Sequence, residues 1–376
     1  MALIYNATFD SGTRILSLLD KAGNVISSCE VPSKELVDDI TKPLTFKATQ
    51  DGSTVRLLIG YGSPSGTFQT SRDGGNTWTD YTIDTAIALN TGEKVSFRAK
   101  ADRTEAQTSS AHFRFMMEGK IEAWHNVMSL YRTNDFATYN TVMQYAFLQL
   151  FQDCTSLTKA PALPATTLET SCYQYMFLHC TSLTKAPELP ATTLDSHCYQ
   201  NMFAGCTSLT EAPELPANFL KTSCYIGMFA GCTSLTKAPV LNTPILALNC
   251  YYEMFDGCTS LTKAPELPAT ALASSCYHYM FYGCTSLTKT PALSATTLAE
   301  DCYQEMFRNC SSLNEVRCKI PSSYSSSAIS SYAYYWLSGV SSKGTFYTNS
   351  DANWPSGDDG IPQTWTRANI DDYPTT

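Results

Sequence analysis

A unit of 26 residues recurs six times between Cys154 and Cys310, and this repeat constrains the fold more than any other feature. Cysteine returns in two columns, leucine in a third and a Met-Phe pair in a fourth. A fixed period between about 20 and 50 residues is typical of solenoids and propellers. A propeller blade requires about 40 residues, whereas 26 suffice for one short strand, a short return and two turns. The sequence therefore predicts a solenoid of stacked coils, each covering its neighbour's apolar edge.

Within one repeat, residues 183–189 are predicted to form the strand and residues 190–193 the turn, because proline cannot continue a central ladder. Residues 198–203 are predicted to form one or two helical turns. Cys198, Met202 and Phe203 would then share one face.

The pattern Met-Phe-x-Gly-Cys-Thr-Ser-Leu-Thr-x-Ala-Pro-x-Leu-Pro-Ala-Thr-Thr-Leu resembles the BspA-like leucine-rich repeats of surface proteins found in gut Bacteroidales and their phages. The resemblance covers roughly residues 140–318, and residues 336–365 are similar to the C-terminal cap of that family. It implies surface adhesion or recognition, and it offers no catalytic residue to transfer.

The predicted fold class is mainly β with short helices, in four parts. Residues 1–42 form an N-terminal attachment or hairpin unit, because three short strand patterns are separated by turn residues. Residues 43–119 form a β-sandwich, because six stretches alternate at period two. Residues 120–318 form the BspA-like solenoid, starting with an atypical coil, and residues 319–376 form its C-terminal cap.

Fifteen cysteines are present, and thirteen lie in the two columns, so their chemistry matters. Stacked coils would bring neighbours of one column near the spacing of a disulfide, but one column has seven members and the total is odd. Buried thiols packed as small hydrophobes are favoured over some bridges. A metal site is disfavoured because gaps of 8 and 18 residues do not match zinc-ligand spacing. The structural cysteines are Cys172, Cys180, Cys198, Cys206, Cys224, Cys232, Cys250, Cys258, Cys276, Cys284, Cys302 and Cys310.

The segment Ser71 to Trp78 fits the Asp-box pattern Ser-x-Asp-x-Gly-x-Thr-Trp. Its predicted role is structural: Asp73 accepts backbone N–H groups, Gly75 takes a positive φ and Trp78 packs beneath the hairpin. A carbohydrate-active enzyme built on this segment is an alternative, although such enzymes carry several copies and an arginine cluster. We expect no catalytic residues, no cofactor and no metal.

Candidate ligand contacts lie on the repeats. Lysines in one column and glutamates three residues on form a strip of mixed charge, which either keeps the face soluble or binds a protein or glycan. Tyrosines at variable positions are candidates for stacking on sugar rings. The candidate ligand residues are Lys159, Lys185, Glu188, Glu214, Lys237, Lys263, Glu266, Lys289, Tyr175, Tyr252, Tyr279 and Tyr282.

The net charge of −9 and the absence of a basic block argue against nucleic acid as a partner, and no apolar run reaches the length of a membrane span. No leader pattern is visible at the N-terminus, and a thiol-rich core suits assembly in a reducing compartment. We therefore expect a non-enzymatic phage virion protein, a fibre or capsid decoration assembled in the host cytoplasm. It would join other virion proteins through its N-terminal unit, recognise host-surface glycan or protein, and form a homo-oligomer if it is a fibre. The alternative is an adhesin on the bacterial cell surface.

Overall fold

The computed structural model describes residues 6–10, 15–19, 25–30, 38–103 and 108–373. The chain divides into two compact units, Met1–Asp39 and Ile40–Thr376. The first unit is an antiparallel three-stranded sheet, in the order β1 (Asn6–Asp10), β2 (Ile15–Leu19) and β3 (Val25–Glu30). The second unit contains a sandwich, a solenoid and a C-terminal sheet, so the predicted fold class is confirmed.

The sandwich consists of a three-stranded sheet, β10-β5-β8, and a longer sheet in the order β11-β4-β9-β6-β7. Phe46 and Phe97 of the longer sheet meet Phe115 of the shorter one, with ring centroids 4.7 and 5.2 Å apart. Side chains alternate between the two faces of each strand, and the inward-facing residues of β5 and its neighbours are buried between the sheets. The strands are β4 (Thr45–Ala48), β5 (Ser53–Tyr61), β6 (Phe68–Ser71), β7 (Thr79–Tyr81), β8 (Ile87–Leu89), β9 (Lys94–Ala99), β10 (His112–Glu118) and β11 (Ile121–Trp124).

The sandwich passes directly into the solenoid, so the predicted boundary at residues 119 and 120 does not separate two bodies. The strand β13 (Leu157–Lys159) of the first coil pairs in parallel with β11 and extends the longer sheet. Phe115 stacks on Phe151 at 5.4 Å, and its carbonyl accepts the Cys154 thiol. The sandwich therefore covers the first coil. The atypical coil predicted at the start of the solenoid comprises residues 120–153. Those residues hold β11, a 3₁₀ helix Val127–Leu130, and β12 (Thr141–Val142).

The return segment of each coil is a run of turns that binds the next coil. Along 172–179, alternate backbone N–H groups donate to the next coil, as Tyr173 does to Cys198 and Phe177 to Met202. The N–H groups between them donate three residues back within their own coil, as Met176 does to Tyr173. We call these segments the turn strip: 145–154, 171–180, 197–206, 223–232, 249–258, 275–284 and 301–310.

The turn strip is not helical, so the prediction of helical turns at 198–203 is wrong. The reason is a left-handed residue at every fourth position, with φ of 59° at His197, 51° at Asn201 and 71° at Gly205. A right-handed helix needs a negative φ throughout. The hydrogen bonds between residues three apart, together with this spacing of four, place the same side chains on one face as a helix would, although the backbone is not helical.

The opposite segment of each coil carries the lysine and glutamate columns, and we call it the lysine face: 157–163, 183–189, 209–215, 235–241, 261–267 and 287–293. Residues 183–189 adopt no strand, contrary to the prediction. Pro187 lacks the N–H that a ladder needs, and parallel pairing between the middle coils of this face reduces to single bridges such as Glu211 with Lys237. Among the described residues of the face, only its first and last segments form ladders, with the sandwich and with the C-terminal cap. Short ladders occur elsewhere in the coils, at β14 (Thr167–Leu168) with β15 (Thr193–Leu194).

Two ladders of stacked rings run through the core between these segments. Tyr173 stacks on Tyr199 at 6.0 Å and Phe177 on Phe203 at 5.5 Å, and both series continue coil by coil. The rings are almost parallel and buried, since each lies at the same place in its coil. The ladder members are Tyr173, Tyr199, Tyr225, Tyr251, Tyr277 and Tyr303, and Phe151, Phe177, Phe203, Phe229, Phe255, Phe281 and Phe307.

Both ladders end on Trp336, which is fully buried and lies 5.9 Å from Tyr303 and 6.2 Å from Phe307. Trp354 also stacks on Trp336, with the ring centroids 4.9 Å apart. A short helix, α1 (Ser326–Tyr332), precedes Trp336. A parallel sheet completes the cap with β16 (Lys289–Leu293), β17 (Glu315–Cys318), β18 (Thr345–Thr348) and β19 (Thr366–Asn369), and a 3₁₀ helix Ile370–Asp372 follows it.

Among the residues with described structure, no helix combines the length and apolar character that crossing a membrane requires.

Candidate functional site

The predicted lysine and glutamate contacts are exposed on the lysine face, with one exception. Lys159 is half-buried, and its Nζ lies 3.8 Å from the centroid of the Trp124 ring. Lys289 pairs with Glu315 at 3.0 Å, and this hydrogen-bonded carboxylate raises the pKa of the lysine. Lys237 approaches Glu211 at 4.0 Å with both side chains well exposed. Exposed ion pairs of this kind contribute little to stability. A ligand can therefore replace them at little energetic cost, and the charged groups are accessible to it.

A groove of about 610 Å³ opens on this face between residues 184–190 and 210–216. It contains three of the predicted contacts, Lys185, Glu188 and Glu214, together with Glu211. Within the described chain, no backbone hydrogen bond joins the two segments here, so the coils separate at the surface. Three carboxylates and one ammonium group make the groove acidic. The other predicted members of the columns lie outside it: Lys159, Lys237, Lys263, Glu266 and Lys289.

Three of the four predicted tyrosines meet on the turn strip, away from the lining of the groove. Tyr252 lies 6.0 Å from Tyr279, and Tyr279 lies 5.6 Å from Tyr282, both edge to face. His278 fills the space between them, 4.8 Å from Tyr252 and 4.4 Å from Tyr279. The fourth tyrosine, Tyr175, occupies the same column as Tyr279 but lies four coils earlier.

Polar side chains hold these rings in place. The Tyr279 hydroxyl donates to Glu305 Oε1 at 2.8 Å, and Asn309 Nδ2 donates to the Tyr282 hydroxyl at 3.0 Å. Glu305 is buried and is paired with Arg308 at 2.7 Å. Burial and then the bond to Glu305 raise the pKa of Tyr279 to about 12, so its phenol stays protonated at neutral pH.

Two carboxylates lie in the coil before these rings. Glu253 and Asp256 are half-buried, and burial is the main reason that the pKa of each is raised. The carboxylate of Asp256 makes no hydrogen bond or ion pair within the part of the chain that the structure describes. Burial also lowers the pKa of His278, which favours the neutral imidazole.

We call Tyr252, Glu253, Asp256, His278, Tyr279, Tyr282, Glu305 and Arg308 the tyrosine patch. The sequence analysis found its three tyrosines and missed the other five residues. The signal for them was present: large polar residues replace Gly227 and Ala230 of an earlier coil at the equivalent columns.

The cysteines lie in the core and form no disulfide among the described residues. In the column that begins at Cys154, each thiol from Cys180 to Cys310 donates to a phenylalanine carbonyl of the preceding coil, as Cys180 does to Phe151 at 3.1 Å. The Cys154 thiol donates instead to Phe115 of the sandwich. Burial raises the pKa of these thiols, to about 12 for Cys232 and for Cys310. Protonated, hydrogen-bonded and buried thiols are poor nucleophiles.

The Asp-box segment forms the hairpin between β6 and β7. Asp73 accepts the Thr77 N–H at 2.9 Å and the Thr77 hydroxyl at 2.6 Å, and Gly75 has a φ of 97°. Trp78 Nε1 donates to the Gly75 carbonyl, and Arg98 lies 4.2 Å above the indole. The hydrogen bonds from the Ser71 hydroxyl and then from Thr77 keep the Asp73 carboxylate ionised and its pKa well below the usual range. Its oxygens are therefore occupied in holding the turn.

No group of three or more histidine, cysteine or acidic side chains in the described ranges is arranged to hold a metal ion.

A comparison with protein-family models matches the BspA type leucine rich repeat region, in six copies, at residues 137–262 and 225–342. The matched residues cover the turn strip, the lysine face and the tyrosine patch. No curated protein and no solved structure matches the chain.

Proposed function

This chain belongs to the BspA-type leucine-rich repeat family, and from that premise we propose that it is a non-enzymatic phage virion protein. In this proposal it is a fibre or capsid-decoration protein, and its repeat surface recognises a glycan or protein on the host cell. Leucine-rich repeats serve binding or structural roles through extended surfaces rather than through catalytic pockets.

The observation that carries the binding role is the pairing of a rigid core with two accessible polar surfaces. The ladders through Tyr199 and Phe203 fix each coil against the next. The acidic groove at Glu188 and Glu214 and the tyrosine patch are therefore held in a fixed geometry before a ligand arrives. Preorganisation of this kind lowers the entropic cost of binding.

The thiols support the virion over the exported adhesin. Fourteen described cysteines are free and buried, and one whole column uses its thiol hydrogens to join neighbouring coils. A disulfide within this column would remove two such hydrogen bonds. Such a core favours folding where thiols stay reduced, as in a cytoplasm in which virions assemble.

We propose that the unit at Met1–Asp39 attaches the chain to other virion proteins. It is compact by itself and consists of a small antiparallel sheet. Attachment through this unit would leave the repeat surfaces of the solenoid available to the host.

Localisation tests the proposal directly. An antibody raised against the full chain would be applied to purified phage particles and to intact bacteria, with immunogold electron microscopy as the measurement. We expect gold at fixed positions on the particles. If gold labels the bacterial surface and the phage particles remain unlabelled, the virion assignment is overturned in favour of the adhesin.

Binding is tested separately with the purified full chain and host cells. We expect saturable binding measured by flow cytometry, and competition by intact particles. Glu188→Ala, in the groove, is compared with Glu266→Ala, which lies in the same column three coils later and outside the groove. Failure to bind any host cell would contradict the recognition role.

A further inference from the structure

We propose that the tyrosine patch is a binding site for a linear, uncharged oligosaccharide. Its sugar rings would lie across three successive segments of the turn strip, 249–258, 275–284 and 301–310. This inference rests on the proposed recognition function and assigns it a ligand class and a location. It places the glycan on the turn strip rather than in the groove of the lysine face.

The first argument is the shape and rigidity of the aromatic surface. Tyr252, Tyr279 and Tyr282 are half-buried, so each ring is fixed on one side and accessible on the other. Tyr279 and Tyr282 contact edge to face and thus present two differently inclined rings. Hydrogen bonds to Glu305 and Asn309 fix both phenols. Rigid aromatic rings with a polar tip match sugars, which have an apolar C–H face and a rim of hydroxyl groups.

The second argument is the supply of hydrogen-bond acceptors beside the rings. The Asp256 carboxylate has no hydrogen-bond or ion-pair partner among the described residues. Glu253 lies in the same coil, close to the Asp256 charge and hydrogen-bonded to the Tyr252 hydroxyl. A partly buried carboxylate without a partner favours a ligand that donates hydrogen bonds. Carboxylate acceptors form stronger hydrogen bonds with hydroxyl donors than neutral acceptors do.

The third argument is that the backbone beside these residues is not covered by side chains. Gly257 follows Asp256 and Gly283 follows Tyr282, and both have positive φ near 66°. A Cβ built on either glycine would meet only the glycine backbone of the preceding coil, at 3.8 and 3.9 Å. No side chain therefore stands over the backbone at this column in the two coils.

The fourth argument is spacing. Phe255, Phe281 and Phe307 of the same three coils are separated by 5.5 and 5.4 Å at their ring centroids. This is similar to the repeat of one pyranose unit along an extended oligosaccharide. Successive sugar units would therefore meet chemically distinct coils, with carboxylates first, aromatic rings second and the Glu305–Arg308 pair third.

The charge of the patch selects against acidic sugars. No cation in the described part of the chain pairs with Glu253 or Asp256, whereas Glu305 is paired with Arg308. A sialylated or sulfated glycan would meet two carboxylates in a partly desolvated surface, where like charges repel strongly. Neutral hexoses and N-acetylhexosamines avoid this cost.

The test uses the full chain on an array of neutral, N-acetylated and acidic oligosaccharides. Titration calorimetry with the best neutral glycan follows. We expect the bound glycans to be uncharged, and we expect Tyr282→Ala and Asp256→Asn each to weaken the Kd by about tenfold or more, the scale of one lost stacking or hydrogen-bonding contact. Asp256→Asn keeps the size of the side chain, so it serves where Tyr282→Ala fails to fold.

Tyr175→Ala is the matched control, because Tyr175 lies in the column of Tyr279 but without the neighbouring rings and carboxylates. We expect it to leave the Kd unchanged. A Kd that responds equally to Tyr175→Ala and Tyr282→Ala, a preference for acidic glycans, or no glycan binding at all would overturn this inference. If host-cell binding persists in Tyr282→Ala and is lost in Glu188→Ala, the site assignment fails while the recognition function stands.

Discussion

The thiol of Cys206 donates a hydrogen bond of 3.1 Å to the backbone carbonyl of Phe177 in the preceding coil, and the same carbonyl accepts the N–H of Cys180 within its own coil. One carbonyl therefore receives a bond that closes a coil and a bond that joins two coils. The arrangement recurs from Cys180 to Cys310, so a cysteine in this column acts as both core residue and connector.

Cys206→Ala should lower the free energy of unfolding by about 1–3 kcal/mol, because it removes a buried sulfur and one inter-coil hydrogen bond. Thermal unfolding followed by circular dichroism measures the change. Thr207→Ala is the control, since Thr207 is exposed in the same coil and should shift the transition very little. Equal effects of the two substitutions would contradict a connecting role for the thiol.

Stability should fall steeply at alkaline pH. The thiols of Cys232 and Cys310 have a pKa near 12 in the folded chain and an ordinary value of 9.0 when unfolded. Below pH 9 both states keep the proton, and stability is complete. As the pH rises from 9 towards 12, only the unfolded chain ionises, so each such thiol removes about 1.4 kcal/mol per pH unit.

Urea midpoints measured at intervals from pH 7 to pH 11 test this linkage. The loss should be shallower in Cys232→Ala, which removes one titrating group. A midpoint that does not change up to pH 11 would show that the cysteines are not buried as thiols.

Trp336→Ala should lower the free energy of unfolding by about 3–5 kcal/mol, because the indole covers the ends of both ring ladders. The coils nearest Trp336 should be destabilised more than those at the other end of the solenoid. Hydrogen exchange should accelerate first in the coil that holds Tyr303 and last in the coils beside the sandwich, since each coil contacts only its neighbours. Tyr334→Ala, on the exposed side of the same turn, is the comparison. Uniform acceleration along the array would argue against a local capping role.

Ser275→Gly should stabilise the chain by up to about 1 kcal/mol, and Ser275→Val should destabilise it, because Ser275 has a φ of 51° that only glycine adopts without strain. The adjacent Ser274→Gly provides the control, because Ser274 is outside the left-handed region and its replacement should only lose stability. Chemical denaturation of the three variants checks the signs. Stabilisation by Ser274→Gly would contradict the assignment of strain to Ser275.

The periodicity of the cysteine, leucine and Met-Phe columns was enough to predict the solenoid, because a core that repeats must repeat its residues. Periodicity could not distinguish the turn strip from a helix. His197 and Asn201 take left-handed φ values at a spacing of four, which leaves the same side chains on the same face. The strand at 183–189 was wrong for a different reason: Pro187 removes one donor of a ladder. The equivalent Pro291 is accommodated in β16 only where β17 lies alongside, and the register shifts there.

The candidate site was predictable only where residue chemistry alone indicates it. Tyr252, Tyr279 and Tyr282 were found as variable aromatic residues, and the structure brings them together. Asp256 was missed because its meaning depends on neighbours 26 and 52 residues away in the chain. The groove depends on where the lysine-face segments separate, and nothing in the sequence distinguishes that junction from the others.

The hydrogen bonds from Tyr173 to Cys198 and from Tyr199 to Cys224 are the same bond made one coil apart. A duplication or deletion of one whole repeat would therefore create a junction identical to those already present. The length of the solenoid can change in steps of a single coil without redesign of either end, and copy number becomes a heritable means of setting how far the repeat surface extends.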